Sequence, residues 1–168
     1  MAVIVTIIIA VLLIVLTSAL WKNRGNAKAF PFSEITDDPR FQHVRSIRTK
    51  IRGVSKKNYD GSSRQDIIDR LCREGDALYL VREANNPVDR NAVQVRRVVC
   101  VEPDKPRMGE QLGYLSRELA ADLAPLLDGG VVMIARILNV TGTEAGYTEG
   151  VNIQIEEYTL AASNKLSH

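Results

Sequence analysis

Nineteen consecutive positions, Ala2 through Leu20, carry no charged residue, no Gly and no Pro. At about 1.5 Å per residue such a run makes a helix roughly 28 Å long, enough to cross the hydrocarbon core of a bilayer. The sequence therefore predicts a transmembrane helix over residues 2–21, with Trp21 at the interface. Lys22, Arg24 and Lys28 follow, and no basic residue precedes the run. That asymmetry predicts a single-pass cell-membrane protein with its N-terminus outside and its C-terminal domain cytoplasmic. An export signal is the alternative, although it wants a basic start and a shorter apolar core. About 130 residues remain, enough for one domain with a real core.

The net charge of +2 divides unevenly along the chain. Lys22, Arg24 and Lys28 supply +3, and residues 29–168 sum to −1, which excludes a uniformly basic nucleic-acid binder. Residues 40–57 hold seven Lys or Arg and no acid, whereas residues 58–168 hold 12 bases against 17 acids. Positive charge is thus concentrated at the start of the domain.

Residues 22–40 lack helical or alternating periodicity and read as a juxtamembrane tether, and 161–168 as a disordered tail. Between them, Arg48, Lys50 and Arg52 alternate with Ile47, Thr49 and Ile51, the period-two pattern of a strand with one apolar and one cationic face. Ser63-Arg64-Gln65-Asp66 has capping-box spacing and opens a helix predicted over 64–73. Strands are expected at Ala77–Arg82, at Ala92–Val101 and around Leu112–Leu115, with a turn-rich loop at Glu102–Pro106. Ser116 caps a second helix ending near Pro125, and strands over Val131–Val140 and Gly150–Tyr158 close the domain. The fold expected over 41–160 is mainly β with two short helices, rolled into a small barrel. Cys72 and Cys100 read as buried, reduced thiols.

Several chemistries lack their parts. There is no GxxxxGK[ST] loop, no GxGxxG after a strand and no GxSxG elbow. His43, Cys72, Cys100 and His168 lie too far apart for a zinc site. No catalytic constellation, metal site or cofactor is expected, so a binding module leads and an enzyme is not predicted.

The densest polar segment is Arg82-Glu83-Ala84-Asn85-Asn86-Pro87-Val88-Asp89-Arg90-Asn91-Ala92-Val93, set between two strands. Its Asn and Asp residues and Pro87 are also what an elaborate Asx-type turn requires. Read with Gly53-Val54, Asp60-Gly61, Gly75-Asp76, Leu112-Gly113-Tyr114-Leu115, Glu118-Leu119-Ala120 and Leu126-Leu127-Asp128, the segment resembles the HIRAN domain over about residues 44–158. That resemblance implies a modified OB-like β-barrel holding the 3′ end of single-stranded DNA. It implies that Asp89 meets the free 3′-hydroxyl and that Asn85 and Asn86, with Asn91 in the same loop, contact the terminal nucleotide. A carboxylate accepts a hydrogen bond from a hydroxyl and repels a continuing phosphate. Base stacking falls to Tyr147 and Tyr59, because the position before the Asp, often Tyr in the family, is Val88 here.

Arg48, Lys50, Arg52, Lys56 and Lys57 are the candidate phosphate contacts. The same cationic strand also suits anionic lipid headgroups beside the anchor, or solvent alone. The function expected is a membrane-anchored, non-catalytic module for single-stranded DNA 3′ ends. Its rival is a tethered protein-interaction scaffold with a decayed DNA site and an unknown protein partner. An accessory part of a helicase-type hydrolase system is a third reading.

Overall fold

A segment of period two satisfies both its faces only by laying one of them against a core. The computed structural model describes residues 37–102, 105–142 and 147–161, and in it the alternating segment is strand β1 (Phe41–Lys50). Ile51, which continues its inner face, is 1% exposed, whereas Arg48, Lys50 and Arg52 face solvent. There follow α1 (Arg64–Leu71), β2 (Ala77–Arg82), β3 (Val93–Glu102), β4 (Lys105–Tyr114), α2 (Arg117–Asp128), β5 (Val132–Thr141) and β6 (Gly150–Leu160). The six strands pair antiparallel in one sheet of order β1-β6-β5-β2-β3-β4.

The two ends of that sheet meet. Just beyond β1, Arg52 and the last residue of β4, Tyr114, exchange both backbone hydrogen bonds, at 2.8 and 3.0 Å. Gly113 makes the approach feasible, since a Cβ there would lie 2.3 Å from the Arg52 carbonyl oxygen. The curled sheet and both helices enclose one core around Ile51, Ile68, Leu112, Leu123, Ile153 and Ile155. Burying each such side chain contributes roughly 1.5–3 kcal/mol. The exposed ion pairs contribute about 0–1 kcal/mol each, so the core holds the sheet closed.

Both caps lie where the sequence places them: Ser63 accepts from the Asp66 amide and Ser116 from the Leu119 amide, each at 3.3 Å. Two boundaries differ by more than two residues. Helix α2 runs through Pro125 to Asp128, because Pro125 falls in the closing turn and its carbonyl accepts from Gly129 at 2.9 Å. Strand β4 starts at Lys105 rather than near Leu112, because register shifts in its pairing with β3 break the alternation that makes strands legible.

The two cysteines also part company. Cys72 is buried, and desolvation pushes its thiol up to about 11. Cys100 is exposed, correcting the expectation of two buried thiols: β3 outruns the core there, and Val98 and Val99 beside it are only half-buried. Iodoacetamide at about pH 8.5, near the free-thiol value, should modify Cys100 in the native protein and spare Cys72. Mass spectrometry finding equal labelling would contradict this packing.

The predicted membrane location is corrected. Among the described residues no helix is long and apolar enough to cross a membrane: α1 has 8 residues and α2 has 12. At about 1.5 Å per residue neither approaches the roughly 30 Å required. The run 2–21 on which that expectation rested lies outside the described residues, as do most of the tether and tail.

Candidate nucleic-acid interface

Between β2 and β3 the chain must reverse through a polar loop, and the loop's own side chains supply the missing backbone partners. The Asn86 Oδ1 accepts from the amides of Val88 (2.9 Å) and Asp89 (3.1 Å). Its Nδ2 donates to Glu83 at 2.9 Å. The Asp89 Oδ1 accepts from the Asn91 amide at 2.9 Å, and the Ala92 amide donates to the Asp89 carbonyl at 3.0 Å. Arg82 ties the loop's exit down by donating to the carbonyls of Ala92 (3.0 Å) and Arg90 (3.1 Å), while pairing with Asp128 of α2 at 3.0 Å.

This loop forms one wall of a cleft of about 370 Å³ lined by Asn86, Pro87, Val88, Asp89 and Ala92 on one side and Tyr59, Tyr114, Leu115 and Arg117 on the other. The volume lies within the range of small-ligand sites. The second wall exists because the sheet closes at Arg52–Tyr114 and the chain then turns at once into α2, whose first residue is Arg117. With Oδ1 of Asp89 held by the Asn91 amide, Oδ2 stands 4.0 Å from the Arg117 Nε. The cleft thus sets one anionic and one cationic group beside an exposed aromatic ring, since Tyr59 is 87% exposed.

Behind the cleft lies a polar network. Glu83 accepts from the Tyr114 hydroxyl at 2.9 Å as well as from Asn86. Arg64, 5% exposed, lies 5.4 Å from the Tyr114 ring centroid and donates to the Asn58 Oδ1 (2.7 Å) and the Gly53 carbonyl (3.0 Å). The network therefore couples the Asn86 loop to the turn that carries Tyr59. Burial opposes ionisation of Glu83, but hydrogen bonds from Gln94, Asn86 and Tyr114 and the charge of Arg64 outweigh it and hold the carboxyl below its ordinary range. A carboxyl depressed on folding adds stability above its unfolded value and loses it as pH falls through the folded one. Thermal melts should lose stability on acidification below about pH 4.3, and Glu83→Gln should flatten that limb. Identical acid limbs for the two proteins would remove Glu83 from the network.

Asn86, Asp89 and Tyr59 come together in the cleft. Asn85 lies on an adjoining hollow of about 500 Å³ over the loop's outer side, and Asn91 contributes its backbone amide to Asp89. Lys56 and Lys57 are exposed in the turn leading to Tyr59. Arg52 stands at the closure, and its charge acts on Glu118 beside Arg117. Arg48 and Lys50 lie further along β1, and Tyr147, 72% exposed, lies between β5 and β6; none of the three lines the cleft. Tyr114, Leu115 and Arg117 were not among the expected site residues. The signal available for them was a helix cap, Ser116, directly after a strand end, which brings a helix start to the sheet's edge.

A closed antiparallel sheet with a cleft shaped at the closure by the polar β2–β3 loop defines a small, mainly β domain. The family model of the HIRAN domain matches residues 44–157, and the chain belongs to that family, which is known for nucleic-acid binding. Over 68 residues the chain is 41% identical to the helicase-like transcription factor of rabbit (Oryctolagus cuniculus), a stretch covering 40% of this chain and 6% of that protein. The chain thus spans a small part of that relative's length. The crystal structure of the HIRAN domain of human HLTF shares the fold, with a TM-score of 0.52 and 19% identity over 73% of this chain and 83% of that one. A crystal structure of a protein from Lactobacillus plantarum gives a TM-score of 0.48 and 18% identity over 70% of this chain and 95% of that one.

Proposed function

We propose that the cleft receives the 3′-terminal nucleotide of a single DNA strand and catalyses no reaction on it. The observation that carries this reading is Asp89: one carboxylate oxygen is fixed by the Asn91 amide while the residue lines the cleft, so the other oxygen accepts a hydrogen bond from a terminal hydroxyl. A strand continuing past that point would bring a phosphate against the carboxylate and be repelled. Arg117, across the cleft, balances the phosphate on the nucleotide's 5′ side. Tyr59 offers a stacking face worth about 1–3 kcal/mol, and Tyr147 offers a second outside the cleft. Asn86 acts on the loop's shape, since its amide is engaged with the Val88 and Asp89 amides and Glu83. The closure at Arg52–Tyr114 supports reading the curled sheet as a modified OB-like barrel.

Fluorescence anisotropy with labelled oligonucleotides tests the reading. The protein should bind a strand ending in a 3′-hydroxyl more tightly than the same strand ending in a 3′-phosphate, and equal affinities would overturn it.

A protein-binding role has one observation in its favour. Val88, 78% exposed, makes part of the cleft apolar together with Pro87 and Leu115. Recovery of one constant protein partner, insensitive to nuclease, would favour that role.

A further inference from the structure

Strand β1 carries more positive charge than the cleft uses, and the register shows where it lies. Arg48 is paired with Gln154 of β6, which is in turn paired with Arg136 of β5. Lys50 is paired with Asn152, and Asn152 with Asn139. Since β partners share a face, the outer surface of β1, β6 and β5 presents Arg48, Lys50 and Arg136 among three amide side chains. All three cations are exposed.

Glu156, the carboxylate that shares this face, is already bound by His43 at 2.6 Å and by Ser46. The face is therefore positive, and its amides give and accept hydrogen bonds. Gly150 takes part as well. A Cβ there would lie 2.6 Å from the Lys50 Cε, so β6 keeps a glycine where the lysine side chain crosses it.

The row also has a direction. Residues 48 and 50 step by about 6.6–6.8 Å along β1, a step matching that between successive phosphates of an extended strand, and Arg52 follows two residues on, just beyond the strand's end. Its last member, Arg52, bonds Tyr114, which lines the cleft. The cationic face and the cleft are thus continuous through one residue pair.

We propose that Arg52, Lys50, Arg48 and Arg136 form a phosphate track for the part of a nucleic-acid strand that continues 5′ of a terminal nucleotide seated in the cleft. This rests on the cleft holding a 3′ end. The track recognises charge and spacing and carries no sequence preference.

The test compares oligothymidylates of about 3 and about 12 nucleotides, a span covering the usual site sizes of small barrels, using the full chain and its Arg48→Gln/Lys50→Gln variant. Single-strand binding loses about 0.7 of slope in log affinity against log salt for each phosphate contact removed. Between about 50 and about 200 mM salt, the wild type's affinity for the long strand should therefore fall about sevenfold more than the variant's. The short strand should bind both proteins alike, and the 3′-hydroxyl preference should be the same in both.

Equal salt slopes for the two proteins on the long strand would overturn the track. Loss of the 3′-hydroxyl preference in the wild type, with the difference in slope retained, would overturn the cleft reading and leave a phosphate-binding face. No gain in affinity with length at about 50 mM salt would overturn the track and direct attention to a protein partner.

Discussion

Asp89→Asn should abolish discrimination between 3′-hydroxyl and 3′-phosphate ends, from a wild-type preference of roughly tenfold to a hundredfold. The substitution is nearly isosteric, so Oδ1 remains to accept the Asn91 amide and the loop keeps its turn. What disappears is the negative charge that, on the proposed reading, faces the terminal hydroxyl. A hydrogen bond to a charged acceptor contributes about 1.5–3 kcal/mol, and every 1.4 kcal/mol or so is a factor of ten. The variant should also bind the 3′-phosphate strand more tightly than wild type does, because the repulsion is gone while Arg117 stays across the cleft. Competition anisotropy with both ends measures this, and an unchanged preference would show that Asp89 serves its loop alone.

Gly113→Ala should destabilise the fold by about 3 kcal/mol or more, the upper range for forcing atoms into a filled space. For a domain of this size that is a melting temperature lowered by about 10 °C. The new Cβ would stand 2.3 Å from the Arg52 carbonyl oxygen and 2.6 Å from the Ile51 Cγ2, so relief requires the closing strand ends to part. Binding should fall with stability, since Tyr114, next along the chain, forms a cleft wall. Gly75→Ala is the comparison: its φ of +86° strains an alanine, but nothing lies within 4 Å of the added carbon. Strain alone costs about 1–2 kcal/mol. Calorimetry finding the two variants equally destabilised would mean the closure is not a tight contact.

These two residues mark the limits of what the sequence makes legible. Alternation exposed β1 and β6, and the capping serines exposed both helix starts, because those signals lie within one segment. The start of β4 was hidden because its bulged pairing with β3 breaks the alternation. At the site, Asp89 and Tyr59 stand out as a polar loop and an aromatic turn. Asn86 does not reveal from sequence that its amide holds Val88, Asp89 and Glu83 together. Tyr114 and Arg117 join the cleft only through a closure between distant parts of the chain, and no local pattern encodes it. The likeness of Arg48, Lys50 and Arg52 as cations conceals that Arg52 alone stands at the closure.

The Arg52–Tyr114 bridge also has a kinetic consequence. The β3–β4 and β5–β6 hairpins join neighbours in the chain, whereas this bridge brings together segments separated by a helix and two strands. Contacts of long sequence separation bear the greatest loop-closure cost and form late in folding. With one bridged residue pair among the described residues, the seam has fewer backbone hydrogen bonds to lose than the β5–β6 ladder and should open ahead of it. The Arg52 and Tyr114 amides should therefore exchange with deuterium ahead of those in the β5–β6 ladder, and a ligand bridging the seam should slow them. The cleft would then be a late part of the molecule to assemble and one held closed by what it binds.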